Sequence, residues 1–138
     1  MTVVDASAVL AFLQGEDGGA LVEEALGAGA VTGAANWSEV AQKVLAHGRD
    51  WSLARALLLS FDLRVEPVTA DDAEWAAMRW QTGEGLSPGD RFCLALGARL
   101  GREVLPADRA WGSDGHIQQV RWPSVSLARV TNGCFGVR

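Results

Sequence analysis

The sequence predicts an α/β fold, a three-layer sandwich in which a short-stranded parallel sheet carries helices on both faces. Short apolar strand-like runs such as Val3-Val4, Ala30-Val31-Thr32 and Glu103-Val104-Leu105 alternate with helix-like stretches of about 10 residues, the pattern of successive β-α units. Gly15, Gly27, Gly29 and Gly48 fall at the ends of such stretches and mark their boundaries. At 138 residues the chain can bury one substantial core but not two, and a single domain is expected.

Val3-Val4 is the first strand. Ser7 to Leu13 follows as a helix, with Ala8, Leu10, Ala11 and Leu13 on its packed side and Gly15 as its stop. Gly18-Gly19 opens a second helix, Ala20 to Leu26, which Gly27 and Gly29 end. Ala30 to Thr32 is the second strand, Asn36 to Ala46 a helix bounded by Gly48, and Asp50 to Phe61 a Leu-rich helix. Leu63 to Val68 alternates in the manner of a strand, and Pro67 marks it as an edge strand or a strand end. Thr69 caps a helix running to Gln81, with acids in its first turn. A loop from Gly83 to Gly89 leads into a helix from about Asp90 to Leu100, then the strand at 103–105 and a short helical turn from Arg109 to Trp111. A last strand is expected between Val125 and Val130, so the domain spans residues 1–130. Thr131 to Arg138 is a tail that matches no pattern and is expected to be disordered.

Composition removes several classes. No apolar run approaches the roughly 20 residues that cross a bilayer, so no membrane span is expected. Met1 leads straight into Thr2-Val3-Val4-Asp5 without a basic leader or apolar h-region, and a cytoplasmic location is the expectation. A net charge of −5 argues against holding nucleic acid by bulk electrostatics, which needs clustered cations. Cys93 and Cys134 have neither the number nor the spacing of a disulfide framework or a zinc site; both read as reduced thiols, Cys93 in the core.

Four acids share a placement. Parallel sheets with right-handed crossovers gather every strand C-terminus and every following helix N-terminus on one rim, where ligands bind. Asp5 ends the first strand, Glu39 and Asp90 are expected in the first turns of their helices, and Asp108 follows the strand at 103–105. Each has a plain explanation when taken singly. Asn36-Trp37-Ser38-Glu39 and Ser87-Pro88-Gly89-Asp90 both have the spacing of capping boxes, and Asp5 and Asp108 can cap the helices that follow them. Taken together the four repel one another: at 4 Å and an effective dielectric near 20, one like-charged pair costs about 4 kcal/mol. A divalent cation would offset that repulsion. A hard, oxygen-only donor set without His or Cys suits Mg²⁺, or Mn²⁺ in its place, rather than zinc. Such a metal supports in-line phosphoryl displacement.

The combination Val3-Val4-Asp5-Ala6-Ser7, Ser38-Glu39-Val40, Leu86-Ser87-Pro88-Gly89-Asp90-Arg91-Phe92-Cys93-Leu94-Ala95 and Ala107-Asp108-Arg109-Ala110-Trp111 resembles the PIN-domain ribonuclease toxins of the VapC family, from toxin–antitoxin systems. The order and spacing of these segments carry the resemblance, which covers about residues 1–130. It implies a PIN-like fold and a Mg²⁺-dependent endoribonuclease that hydrolyses phosphodiester bonds in single-stranded RNA segments. It also implies a homodimer, silenced by a small cognate antitoxin protein. Carried over by position, Asp5, Glu39, Asp90 and Asp108 are the catalytic, metal-holding quartet, with Ser7 as a supporting polar group. Pro106 stands where the family usually has Thr.

Arg91 and Arg109 each adjoin a quartet acid, where an RNA phosphate contact and a salt bridge or solvated helix face are equally open. Gly83, Gly85 and Gly89 lack dinucleotide-fingerprint spacing and read as a flexible rim loop. Trp37, Trp75, Trp80 and Trp111 can stack bases or fill a partner interface, with core packing the plainer reading. Leu53, Leu57 and Leu58 also read as core, or as a groove for a partner helix. The rival function is a catalytically inert PIN-like module that binds a protein partner. An aspartyl-phosphate phosphatase would want an acid two residues after Asp5, where Ser7 stands.

Overall fold

The computed structural model describes residues 1–105. In chain order these form β1 (Thr2–Val4), α1 (Ala6–Gln14), α2 (Gly19–Gly27), β2 (Ala30–Gly33), α3 (Ala34–Ala46), α4 (Trp51–Ser60), β3 (Arg64–Glu66), α5 (Ala70–Met78), α6 (Pro88–Leu100) and β4 (Val104–Leu105). Asp108, Arg109, Trp111, the expected strand between Val125 and Val130, and the tail from Thr131 lie outside the described residues.

The four strands form one sheet in the order β3-β2-β1-β4, every pairing parallel. Thr2 stands opposite Ala30, Val3 opposite both Val31 and Val104, and Gly33 opposite Glu66. The chain steps outward from β1 to β2 to β3, then returns to the other side of β1. The direction of winding therefore reverses beside β1, and such a reversal opens a crevice at the strand C-termini.

Successive strand residues face opposite sides of a sheet. Val4 and Ala30 pack with Ala8, Val9, Leu10, Val22, Leu26, Val40, Val44 and Leu58 in one core layer. Val3, Val31 and Val104 turn the other way and pack with Cys93, Leu94 and Leu96 of α6. Two apolar layers about one sheet make the expected three-layer sandwich, with α1 to α4 contributing to one side and α5 and α6 to the other.

Two sequence expectations change here. The helix expected from Asn36 begins earlier, at Ala34, with Gly33 in extended conformation as its N-cap and no side-chain cap bond. Of the three Leu of α4 only Leu58 is buried; Leu53 and Leu57 are exposed. The buried stripe of that helix runs instead through Trp51, Ala54 and Leu58 to Phe61 just beyond it, all packed on the first core layer.

Candidate active site

Asp5 follows β1 directly and caps α1, its Oδ1 accepting from the Ala8 N–H at 2.8 Å. The residue is 5% exposed, so its carboxylate is held at the floor of the rim by a backbone donor and by the positive end of the α1 dipole. Thr32, fully buried in β2, donates its hydroxyl to the Val4 carbonyl at 2.8 Å and pins the strand end from which Asp5 projects. On the other side the Asp5 N–H donates to Leu105 O at 3.4 Å. Asp5 thus sits at the reversal of winding, between β2 and the end of β4. Ser7, half-buried, lies in the first turn of α1.

Asp90 occupies the first turn of α6 and completes the capping box read from the sequence. Its N–H donates to Ser87 Oγ at 3.1 Å, and its Oδ2 accepts from the Ser87 N–H at 3.0 Å. Pro88 at the helix start lacks only a donor that would have had no partner there.

Glu39 is placed differently from the expectation. Because α3 begins at Ala34, Glu39 lies in the second turn and takes no part in a cap. Its carboxylate crosses to α6 instead: Oε1 would stand 3.1 Å from a Cβ at Gly89, the residue before Asp90. Its Oε2 makes only a loose pair with Lys43, 3.9 Å away and more than half exposed, which contributes little.

Three acids from three elements, Asp5, Glu39 and Asp90, therefore share one neighbourhood. Their common neighbour is Cys93, wholly buried one turn below Asp90. Burial first, and then the charges of Asp5, Asp90 and Glu39, push its thiol well above the usual range. Cys93 is thus a neutral core group, as the sequence suggested, and no nucleophile. The acids are not drawn into a closed cage. Among the described residues no three of His, Cys, Asp and Glu are close enough to form a ready-made metal site. Asp5 answers first to α1 and Asp90 to Ser87, while Glu39 lies against Gly89 at the start of α6 without an anchor there.

Arg91 turns away from the rim, donating from a terminal nitrogen to the Ala76 carbonyl at 2.9 Å in the last turn of α5. Helix carbonyls at that end lack intrahelical partners, so the guanidinium has an intramolecular task. Trp37 packs edge-on against Trp51 at 5.0 Å between ring centroids, and Trp75 packs on the second core layer. Trp80 is 58% exposed.

Asn36 was legible only as a cap and proves to be a bridge. Buried in the first turn of α3, it donates from Nδ2 to the Gly89 carbonyl at 3.2 Å. Ala34 and Ala35, good helix formers placed ahead of it, were the signal that the helix had already begun.

Together the parallel sandwich and its acidic rim define an α/β domain of the class that binds ligands at the strand C-termini. The PIN domain family model matches residues 2–112, and the chain belongs to that family. Among solved structures it is similar to VapC20 of Mycobacterium tuberculosis, described as a sarcin–ricin loop cleaving toxin. The two are 20% identical, with 83% of this chain and 95% of that one covered and a TM-score of 0.64. That likeness establishes a shared fold. No curated protein matches the chain.

Proposed function

We propose that the protein is an endoribonuclease toxin of the VapC kind, hydrolysing phosphodiester bonds in single-stranded segments of RNA with a divalent cation. The observation that supports this most is that Asp5, Glu39 and Asp90, from three separate elements, all lie near enough to buried Cys93 to raise its thiol. Asp108, three residues after Leu105 in the sequence and outside the described residues, is the fourth acid of the quartet in this reading.

The donor set fits Mg²⁺ or Mn²⁺. Mg²⁺ keeps several of its waters and is bound through only one or two carboxylates, so spaced acids on an open rim suit it better than a closed cage would. When bound, such an ion supplies positive charge to offset the phosphate and acidity to activate water. The chain's own residues do the positioning. Asp5 and Asp90 are fixed by helix-terminal N–H groups and present rigid carboxylates, whereas Glu39, paired among the described residues only with exposed Lys43, is able to orient an attacking water and take its proton at a carboxylate oxygen. Asp5, Asp90, Glu39 and Asp108 are the metal-holding groups in this proposal, with Ser7 in support.

The same reading gives the protein an antitoxin partner, a homodimeric state and a cytoplasmic setting. Among the described residues no helix is long and apolar enough to cross a membrane. The inert-module alternative draws on one observation, that Asp5 and Asp90 both cap helices. Incubating purified protein with an unstructured RNA and with a hairpin bearing an exposed loop separates the two. Cleavage that appears with Mg²⁺ or Mn²⁺ and stops with EDTA is expected. Cleavage at full rate in EDTA would remove the metal, and folded protein that cuts neither RNA would favour the inert module.

A further inference from the structure

Asn36 carries a cost that the fold alone does not explain. The residue is 2% exposed, and its Oδ1 is buried without a hydrogen-bond partner among the described residues. An apolar side chain of the same shape would avoid that unpaired carbonyl. The other end of the amide makes one contact, from Nδ2 to the Gly89 carbonyl.

That contact falls at a particular place. Asn36 and Glu39 are three residues apart on α3 and so share a face. Both meet α6 at Gly89, where an added Cβ would stand 3.1 Å from Glu39 Oε1 and 3.9 Å from Asn36 Nδ2. The bare residue lets the two helices close, and the next residue is Asp90. α6 does not need Asn36 in order to start, because Ser87 and Asp90 already cap it reciprocally. What the amide adds is a fixed distance between the helix carrying Glu39 and the residue carrying Asp90.

We propose that Asn36 is a positioning residue whose buried carboxamide clamps the start of α6 to α3 and thereby holds Glu39 and Asp90 in register. This rests on the nuclease reading for its consequence, though not for its geometry. Groups that orient metal-holding or reacting side chains typically change affinity or activity 10–100-fold when lost.

Asn36→Leu keeps the approximate shape and removes both the clamp and the unpaired carbonyl. Its melting temperature is expected to stay within a few degrees of the wild type. RNA cleavage should fall about 10–100-fold and the Mn²⁺ concentration for half-maximal rate should rise by a similar order. In the metal-free proteins, hydrogen exchange at the Asp90 amide should be faster in the variant. Asn36→Ala removes the same bond to the Gly89 carbonyl and serves if Asn36→Leu fails to fold; its cleavage rate and Mn²⁺ dependence should shift in the same direction and by a similar order. A folded Asn36→Leu with wild-type rate and Mn²⁺ dependence overturns the proposal. If the wild type cuts no RNA, the nuclease reading falls on its own, and unchanged exchange at Asp90 in the variant would separately overturn the clamp.

Discussion

Two helices of this protein open with the same four-residue device, and only one of them neutralises the acid that closes it. At α5 the box is Thr69 to Asp72; at α6 it is Ser87 to Asp90. In both, the hydroxyl accepts from the acid's N–H and one carboxylate oxygen accepts from the N-cap N–H, at 3.0 to 3.1 Å throughout. The difference lies in the second oxygen. Asp72 Oδ1 accepts from Arg99 Nε at 3.1 Å, and Arg99 also reaches the Pro67 carbonyl, so the β3–α5 junction is stitched to α6. Asp90 pairs with no basic side chain among the described residues, and Arg91 beside it points to α5. One motif thus yields a structural staple in one place and, in the other, a carboxylate held rigid with capacity left for a ligand.

Glu39, outside both boxes, sharpens the contrast most. Lacking a cap role, Glu39→Gln is expected to lower RNA cleavage by two orders of magnitude or more while leaving the melting temperature within about a degree. A large loss of stability would show that Glu39 is structural. Next in size is Asp72→Ala, which removes a cap and leaves Arg99 without its partner. Arg99 is a third exposed and can recover water, so the expected cost is about 2–3 kcal/mol, below that of breaking a fully buried pair. Denaturant unfolding measures it, and folded Asp72→Ala should still cut RNA. Asp90→Ala should cost less, about 0.5–2 kcal/mol, since only a cap is lost. Added Mg²⁺ should stabilise the wild type more than this variant, because a ligand that binds the native state raises stability by mass action. Equal Mg²⁺ stabilisation of both would separate Asp90 from the metal.

The smallest effect is on pH dependence. The Cys93 thiol is pushed up by burial and by the three acids. In the unfolded chain it ionises near the ordinary value, about 8.5. Above that pH the unfolded state has lost a proton that the folded state keeps, so stability falls as pH rises; below it the contribution is fully present. Cys93 alone should remove about 0.8 kcal/mol by pH 9, and Cys93→Ala should abolish this part of the alkaline slope. A variant with an unchanged slope would show that the thiol is not held neutral.

Much of this was legible in the sequence because strand, helix and glycine signals agreed locally. The Ser87–Asp90 box was read from spacing, and Pro67 marked the end of β3, which is an edge strand. What was not legible depends on tertiary partners. Asn36 has the side chain of a cap, and nothing local says that Gly33 begins the helix while the amide reaches another element 53 residues away. In α4, Leu53, Leu57 and Leu58 are alike as side chains, and only the placement of Trp51 and Phe61 against the first layer decides which faces inward. The placement of Asp5 after β1 and of Asp90 in the first turn of α6 was legible; the second-turn position of Glu39 was not, because it depends on where α3 begins.

The central claim is that Asp90 works in a reaction while its counterpart Asp72 serves the fold. Cleavage of a single-stranded RNA by Asp90→Asn and Asp72→Asn, in saturating Mn²⁺ and normalised to the folded fraction of each, tests it most directly. Asp90→Asn should lose cleavage by orders of magnitude, and Asp72→Asn should retain a rate within a few-fold of the wild type. Equal rates in the two folded variants, whether both high or both lost, would contradict the account.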